Sequence, residues 1–211
     1  PVAKYGDYYG LPYGYDETST VITYLDADGN PIIRSDGYST IIRTQIDSMA
    51  SEDFYYDLNG QQVQCSGGYY GVHREFNTEG QNISLTFLDK KGRAMCSSSG
   101  CAGVTYQCDI DGTVVGEQYF DAEGNPVRSL FGQYGELYQR NEQGYIGQVT
   151  YLDADGNPAP TNAGYTVLKR TYHRDGTADT DMYFDAEGNQ KALSKGQYGI
   201  KRSGKLNLLL D

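Results

Sequence analysis

The sequence lacks tryptophan altogether and has only two histidines and four cysteines among its 211 residues. It has no apolar run long enough to span a bilayer, so we expect no membrane insertion. Positive charge is also scarce, because 17 Lys and Arg stand against 28 Asp and Glu, which leaves a net charge of −11. A chain this acidic repels nucleic-acid backbones and anionic lipid surfaces, so nucleic acid is not an expected partner.

The residue patterns of common catalytic sites are missing as well. The sequence has no Gly-x-Ser-x-Gly, no His-Glu-x-x-His and no phosphate-binding glycine loop. His173 lies in a predicted turn, and His73 lies on a predicted strand with no obvious partner. The many acidic residues fall in turns that recur along the chain, whereas a catalytic site is usually built once. We therefore expect a protein that is not an enzyme and that needs no cofactor.

What the sequence has in abundance is a motif that recurs about every 32 residues. Its fullest form is Tyr-Phe-Asp-Ala-Glu-Gly-Asn-Pro, from Tyr119 to Pro126. A fixed period of this length indicates a repeat architecture in which each unit contacts mainly its neighbours. The full and weaker copies begin at Tyr24, Tyr55, Phe87, Tyr119, Tyr151 and Tyr183.

The centre of the motif, Asp-x-x-Gly, is typical of a type I turn that closes a β-hairpin. The leading acid accepts hydrogen bonds from the turn backbone, and the glycine takes a positive φ without a Cβ clash. A second series of such turns runs in step with the first, at 77–80, 109–112, 141–144 and 173–176. The turn residues predicted in the first series are Asp26, Gly29, Asp121, Gly124, Asp153, Gly156, Asp185 and Gly188.

The segments between the turns have strand length and no helical periodicity. The sequence therefore predicts an all-β fold: an elongated, β-solenoid-like array of stacked antiparallel β-hairpins with a 32-residue repeat. We expect an N-terminal cap and partial repeat over 1–23, about five to six hairpin units over 24–196, and a C-terminal cap or truncated repeat over 197–211. Since the chain begins at Pro1 without a signal peptide, we expect a preceding segment to have been removed and the array to be part of a longer protein.

Asp-x-Asp-Gly segments at Asp26 and Asp153 invite a calcium interpretation. An EF-type calcium loop needs oxygen ligands at alternating positions, closed by a glutamate. Here the segment ends at Gly-Asn-Pro, and one copy of the motif carries Lys90 and Lys91. We therefore interpret these acids as turn residues and expect no metal.

The four cysteines, Cys65, Cys96, Cys101 and Cys108, lie close together in the sequence. Their spacing matches no zinc site with paired short spacings. Two interpretations stay open: small buried residues of a degenerate repeat, or at least one disulfide. Cys96 and Cys101 flank a Ser-Ser-Ser-Gly loop, so they are the pair expected for a local bridge.

The motif, with a Gly-Tyr about a dozen residues later, resembles the aromatic and glycine-rich repeats of bacterial cell-surface proteins. It is similar to the glucan-binding and choline-type cell-wall-binding repeats, and the resemblance covers roughly residues 15 to 200. It implies hairpins stacked into a β-solenoid, with aromatic side chains between hairpins that bind sugars or choline. Those families rely on tryptophan in each unit, which this chain lacks, so the resemblance carries over the fold more than the ligand.

Tyrosine supplies much of the apolar content and falls into two columns. The first column, which begins the motif copies, is expected to form the core stack between hairpins. The second column follows a bend glycine and is expected to be partly exposed, where aromatic rings can stack on sugars. The ligand-binding residues predicted in this second column are Tyr38, Tyr69, Tyr134, Tyr165 and Tyr198.

The sequence thus predicts a non-catalytic binding module of a bacterial surface or secreted protein, located outside the cell or on its surface. The expected partner is a cell-wall or other polysaccharide, recognised through repeated aromatic sites whose linkage gives avidity. The alternative is a structural spacer or protein-interaction repeat that has no small-molecule ligand. Exposed tyrosines in clefts would favour the first, and fully packed tyrosines the second.

Overall fold

A computed structural model of the chain describes residues 13–15 and 18–202, with side chains from residue 18 onward. These residues form β-strands and no helix. The strands are β1 Tyr13–Tyr15, β2 Ser19–Thr23, β3 Thr40–Asp47, β4 Ala50–Tyr56, β5 Gly71–Phe76, β6 Asn82–Leu88, β7 Gly103–Cys108, β8 Val114–Phe120, β9 Gly135–Arg140, β10 Ile146–Leu152, β11 Val167–Tyr172, β12 Ala178–Phe184 and β13 Gly199–Lys201.

The chain divides into two compact units. Unit 1 comprises Pro1–Tyr106 and Tyr119–Asn125, and unit 2 comprises Gln107–Gln118 and Pro126–Asp211. Of the cap predicted over 1–23, only 13–15 and 18–23 lie within the described residues, and 203–211 of the predicted C-terminal cap lie outside them.

Within each unit, strands pair antiparallel with their neighbours in chain order. In unit 1 this runs from β1 through to β7, and in unit 2 from β8 through to β13. The predicted all-β array of antiparallel hairpins with a 32-residue repeat is confirmed. Each repeat adds one tight hairpin, such as β5–β6 or β11–β12, and a 14-residue connection that carries the motif turn and the bend.

The motif turns have the predicted geometry, as the Asp153 turn shows. The Gly156 amide donates to the Asp153 carbonyl at 3.1 Å, and the Asn157 amide donates to Asp153 Oδ1 at 2.8 Å. Gly156 has a φ of +81° and Gly124 one of +85°, which places both in the left-handed region. Because backbone amides donate to them, the carboxyls of Asp26 and Asp121 have a lowered pKa.

One hairpin turn departs from the series. The turn between β3 and β4 lacks the glycine, and Ser48 and Met49 alone connect Asp47 to Ala50. The Asp47 carboxylate helps to hold this turn without a glycine, because the Met49 amide donates to its Oδ1 at 2.7 Å. The register of β3–β4 also shifts by a bulge before Asp47.

The connections contact one another through their bends. In unit 1 the Ser66 amide donates to the Asp36 carbonyl and the Ser98 amide donates to the Gly67 carbonyl, both at 2.8 Å. In unit 2 the Asn162 amide donates to the Phe131 carbonyl at 3.1 Å. Successive connections therefore stack within each unit.

The core of unit 1 is a stack of aromatic rings in which the two tyrosine columns alternate. Its best-buried members are Tyr24, Tyr38 and Tyr55, which cluster with Ile41 and Cys65. Burial of these tyrosine rings compensates for the small number of large aliphatic residues. The ring-centroid distances are 6.0 Å for Tyr24–Tyr38, 4.5 Å for Tyr38–Tyr55, 6.0 Å for Tyr55–Tyr69 and 4.5 Å for Tyr69–Phe87.

Candidate tyrosine groove in unit 2

The second tyrosine column differs in exposure from one copy to the next. Tyr38 is only 8% exposed and belongs to the core of unit 1, so the partial exposure expected for this column is wrong at Tyr38. Tyr198 is 49% exposed. Tyr69, Tyr134 and Tyr165 are half-buried. Most tyrosines of this column are therefore at least partly buried rather than exposed.

The half-buried members of the column are also in contact with other side chains. Tyr165 lies between Tyr151 and Tyr183 of the first column, with centroid distances of 5.5 and 4.6 Å. The Arg128 guanidinium lies 5.5 Å from the centroid of Tyr134. These rings are therefore packed against other side chains on at least one side.

The structure brings a different set of tyrosines to a groove on β9, β10 and β11 of unit 2. Alternate residues of a strand share a face of the sheet, so Glu136, Tyr138 and Arg140 of β9 project together. The groove has a volume of about 470 Å³. Its other lining residues are Gly144, Tyr145, Ile146, Val149, Tyr151, Leu168, Arg170 and Tyr172.

A second depression of about 530 Å³ adjoins the first. It shares Tyr145, Arg170 and Tyr172 with the first. Its remaining lining residues are Asn141, Gln143, Thr171, His173 and Arg174. We call the two together the tyrosine groove, which therefore combines aromatic faces with amide, hydroxyl and guanidinium donors.

Tyr145 and Tyr172 form an aromatic platform at the centre of the tyrosine groove. Their ring centroids are 4.8 Å apart and their planes differ by 29°. The Tyr172 hydroxyl donates to the Ile146 carbonyl at 2.8 Å, which fixes the Tyr172 ring. Tyr145 is 40% exposed, so part of this side chain can contact a ligand.

The position of Tyr145 depends on Gly176 in the turn after β11. A Cβ on Gly176 would lie 2.6 Å from the Tyr145 hydroxyl oxygen, and the φ of this glycine is +82°. A side chain at 176 would displace the Tyr145 ring. The same glycine therefore closes a turn and leaves room for the platform.

Tyr138, which lines the first depression, forms hydrogen bonds with two acids. Glu117 and Glu136 face each other directly across β8 and β9. Burial and then the carboxylates of Glu136 and Glu117 raise the pKa of Tyr138, so its hydroxyl stays protonated and donates to them. Gln133 Nε2 also donates to Glu136 Oε1 at 2.8 Å. This shared proton offsets the repulsion between two like charges on paired strands.

Arg170 lines both depressions of the groove and is paired with Asp181. Arg170 Nε lies 2.6 Å from Asp181 Oδ1, and Arg202 Nη2 lies 2.7 Å from Asp181 Oδ2. Burial raises the pKa of Asp181, but the hydrogen bonds from Arg170 and Arg202 outweigh it and lower the pKa to about 2. Asp181 therefore stays ionised and orients Arg170.

Unit 1 repeats this arrangement at Asp53. Arg43 and Arg74 both donate to it at 2.7 Å, and Asp53 is 1% exposed. Here too burial raises the pKa and the two guanidinium groups outweigh it, so the pKa of Asp53 is lowered. An acid between two arginines is therefore a structural feature of both units, and the groove of unit 2 is built on one of them.

The two histidines have different surroundings. His173 begins the predicted turn and lines the groove, with its Nε2 3.5 Å from Asp179 Oδ1. The expectation that His73 has no partner is wrong, because its Nδ1 lies 3.2 Å from Glu52 Oε1. Within residues 18–202, no group of three or more His, Cys, Asp or Glu side chains is placed to hold a metal ion.

All four cysteines are free thiols in the structure. Cys96 is exposed, whereas Cys101 is buried with its sulfur 3.2 Å from Ser99 Oγ. The Ser97 amide donates to the Cys101 carbonyl at 2.8 Å and closes the loop between them. The Cys96–Cys101 bridge therefore stays a prediction about oxidised protein.

Sequence reasoning missed Tyr145 and Tyr172 because neither belongs to a tyrosine column. The position of Tyr145 is held by Thr113 and Thr177 in the neighbouring repeats, and that of Tyr172 by Cys108 and Arg140. The available signal was this departure: an aromatic residue on one side of each of two successive turns, where the adjacent copies carry smaller or charged residues.

Comparison with known proteins gives no relative: no family model matches the chain, and no curated protein matches it either. In the described part of the chain, no helix is long and apolar enough to cross a membrane. The tyrosine groove is therefore the feature from which we infer a function.

Proposed function

We propose that this chain is a non-catalytic binding module that recognises cell-wall or other glycans, and that the tyrosine groove of unit 2 is its main site. The observation that carries this is the stacked pair Tyr145–Tyr172, in which Tyr145 is 40% exposed and lies beside polar side chains. Sugars present apolar C–H faces between hydroxyl groups. A ring platform bordered by hydrogen-bonding groups fits that alternation.

The polar residues of the groove suit hydroxyl recognition. Asn141 and Gln143 lie in the turn before Tyr145, and Arg170 and Thr171 lie on β11. The Asn141 side-chain oxygen already accepts the Tyr145 amide at 3.0 Å, which leaves its amide nitrogen as a donor. The groove thus offers donors and acceptors around an aromatic centre.

The acids beside the groove support binding rather than catalysis. Glu136 accepts from Gln133 and Tyr138, and Asp181 is paired with two arginines. Carboxylates that are engaged in this way are poorly placed to exchange protons with a substrate. The location outside the cell or on a bacterial surface, and the kinship with cell-wall-binding repeats, belong to this proposal and are supported by the motif alone.

A second function, a structural spacer, is favoured by the packing of unit 1. Tyr24, Tyr38 and Tyr55 are 7%, 8% and 6% exposed and serve the fold. The two functions are compatible if unit 1 acts as the support and unit 2 as the binding part.

The test is a pull-down on purified bacterial cell walls and on insoluble polysaccharides. The wild-type chain is expected to be retained, Tyr145→Ala to be lost and Tyr145→Phe to be retained, since Phe keeps the ring. Incubation should release no reducing ends. Absence of retention, or equal retention of wild type and Tyr145→Ala, would leave the spacer function ahead.

A further inference from the structure

The tyrosine groove carries positive charge in a protein whose net charge is −11. Arg140 lies at the end of β9 and lines the first depression. Arg174 lies in the turn after β11 and lines the second. Both side chains are exposed. Among residues 18–202, neither has a carboxylate within ion-pair distance, in contrast to Arg170, which is paired with Asp181.

The geometry of Arg140 leaves it able to bind an anion. Its Nη1 donates to the Gly144 carbonyl at 3.0 Å, and its Nη2 reaches the Val114 carbonyl at 3.5 Å. A guanidinium group has five N–H donors, so these two contacts orient it without exhausting it. Gly144 precedes Tyr145, so the oriented charge stands next to the aromatic platform.

Several acids near the groove keep their negative charge but already accept contacts from neighbouring residues. Asp175 accepts from the Thr177 amide at 2.9 Å and from its hydroxyl at 2.6 Å. Asp179 faces His173, and Glu136 accepts from Gln133. Glu142 is an exposed acid between Asn141 and Gln143. The residues that line the groove itself, within the described part of the chain, include one acid, Glu136, and three arginines: Arg140, Arg170 and Arg174. The lining therefore holds more cations than anions even though Arg170 is paired with Asp181.

We propose that the groove selects glycans that carry negative charge, with Arg140 and Arg174 binding carboxylate or phosphate groups while Tyr145 stacks on the sugar ring. This rests on the proposed glycan-binding function and adds the substrate class. Arginine suits this role because its planar donor pair matches carboxylate and phosphate oxygens. The distant negative charges of the protein oppose such a ligand only weakly at physiological salt, where the Debye length is about 8 Å.

The experiment measures affinity by calorimetry for two matched pairs of soluble chains. Polygalacturonate is compared with its fully methyl-esterified form, and a phosphomannan with its dephosphorylated form. The wild type is expected to bind at least one charged chain about tenfold or more tighter than its neutral partner, and the pair that responds identifies carboxylate or phosphate. This preference should weaken as salt rises.

The variants are Arg140→Gln and Arg174→Gln, with Arg93→Gln as the control. Arg93 is an exposed arginine of unit 1 that pairs with Asp89. Each groove variant is expected to lose most of the preference for the charged chain, whereas the control keeps it. Equal binding of charged and neutral chains, no binding of any of the four, or an equal loss in Arg93→Gln would overturn the inference.

The outcomes separate the two proposals. If Tyr145→Ala abolishes binding while charged and neutral chains bind equally, glycan binding stands and charge selection falls. If the cell-wall pull-down also fails, both fall.

Discussion

The rings of Tyr38 and Tyr55 stack with their centroids 4.5 Å apart and their planes 17° apart. Tyr38 belongs to the second tyrosine column of the sequence and Tyr55 to the first, so this contact joins the two columns. The joined rings form the core of unit 1, which contains few large aliphatic residues. The stack explains why the repeat retains tyrosine at two positions rather than one.

Removal of one ring from this stack should be costly. Tyr55→Ala is expected to lower the free energy of unfolding by about 3–5 kcal/mol, because Tyr55 is 6% exposed and its removal leaves a cavity. Tyr55→Phe keeps the ring and should cost less than about 1.5 kcal/mol. Urea denaturation measures both.

Tyr198→Ala is the matched control for this stack, since Tyr198 is 49% exposed. Its effect is expected to stay within about 0.5 kcal/mol. A cost for Tyr55→Ala no greater than that for Tyr198→Ala would contradict the assignment of the stack as core.

The turn glycines should not tolerate a side chain. Gly156→Ala is expected to destabilise the protein by about 1 kcal/mol or more, because its φ of +81° disfavours a Cβ. Gly147→Ala in β10 is the control: its φ is outside the left-handed region and the nearest atom to a Cβ there is 3.7 Å away. The control should be neutral or slightly stabilising. Equal melting temperatures for the two variants would show that the turn assignment is wrong.

Acid should weaken the protein through Asp181. Its pKa is about 2 in the folded state, below the ordinary value of 3.8, so its stabilising effect is present above about pH 4 and is lost as pH falls toward 2. Asp181→Asn is expected to cost about 2 kcal/mol at pH 7 and little at pH 2. Denaturation at pH 7, 4 and 2 measures the difference.

The control for the acid experiment is Asp155→Asn in an exposed turn, which should change stability by less than about 0.5 kcal/mol at pH 7. If the cost of Asp181→Asn were the same at pH 2 as at pH 7, the two arginines would not be acting on an ionised carboxylate.

The cysteines test the proposed location. If the protein is exported, Cys96 and Cys101 are expected to be bridged, because an oxidising environment lets a disulfide persist and the loop between them is short. Closing so short a loop contributes about 2–3 kcal/mol. Thiol counting in denaturant, on protein recovered from its native compartment, should find two free thiols rather than four. Four would count against the bridge and, less directly, against export.

The sequence predicted the hairpins and turns because they are local. Asp153 and Gly156 stand three positions apart, and the hydrogen bonds between them need no distant residue. The alternation of Tyr38 with Tyr55 could not be predicted, since it depends on how a 14-residue connection folds back. The platform was missed for a similar reason: Tyr145 directly precedes β10 and Tyr172 ends β11, and the pairing of β10 with β11 brings them together.

The burial of Tyr38 shows why a position within the repeat did not predict the exposure of the side chain. Its position after a bend glycine indicated exposure, but the bends of unit 1 hydrogen-bond to one another, from Ser66 to Asp36. That contact brings successive connections close enough to enclose the ring. A pattern within one repeat cannot report a contact made between repeats.

The most direct test of the account is glycan retention by three tyrosine variants under identical conditions. Tyr145→Ala removes the exposed ring of the groove, and Tyr198→Ala removes a ring of similar exposure outside it that the sequence predicted to bind ligand. Binding of cell walls is expected to fall about tenfold or more for Tyr145→Ala and to be unchanged for Tyr145→Phe and Tyr198→Ala. Loss of binding in Tyr198→Ala with full binding in Tyr145→Ala would contradict it.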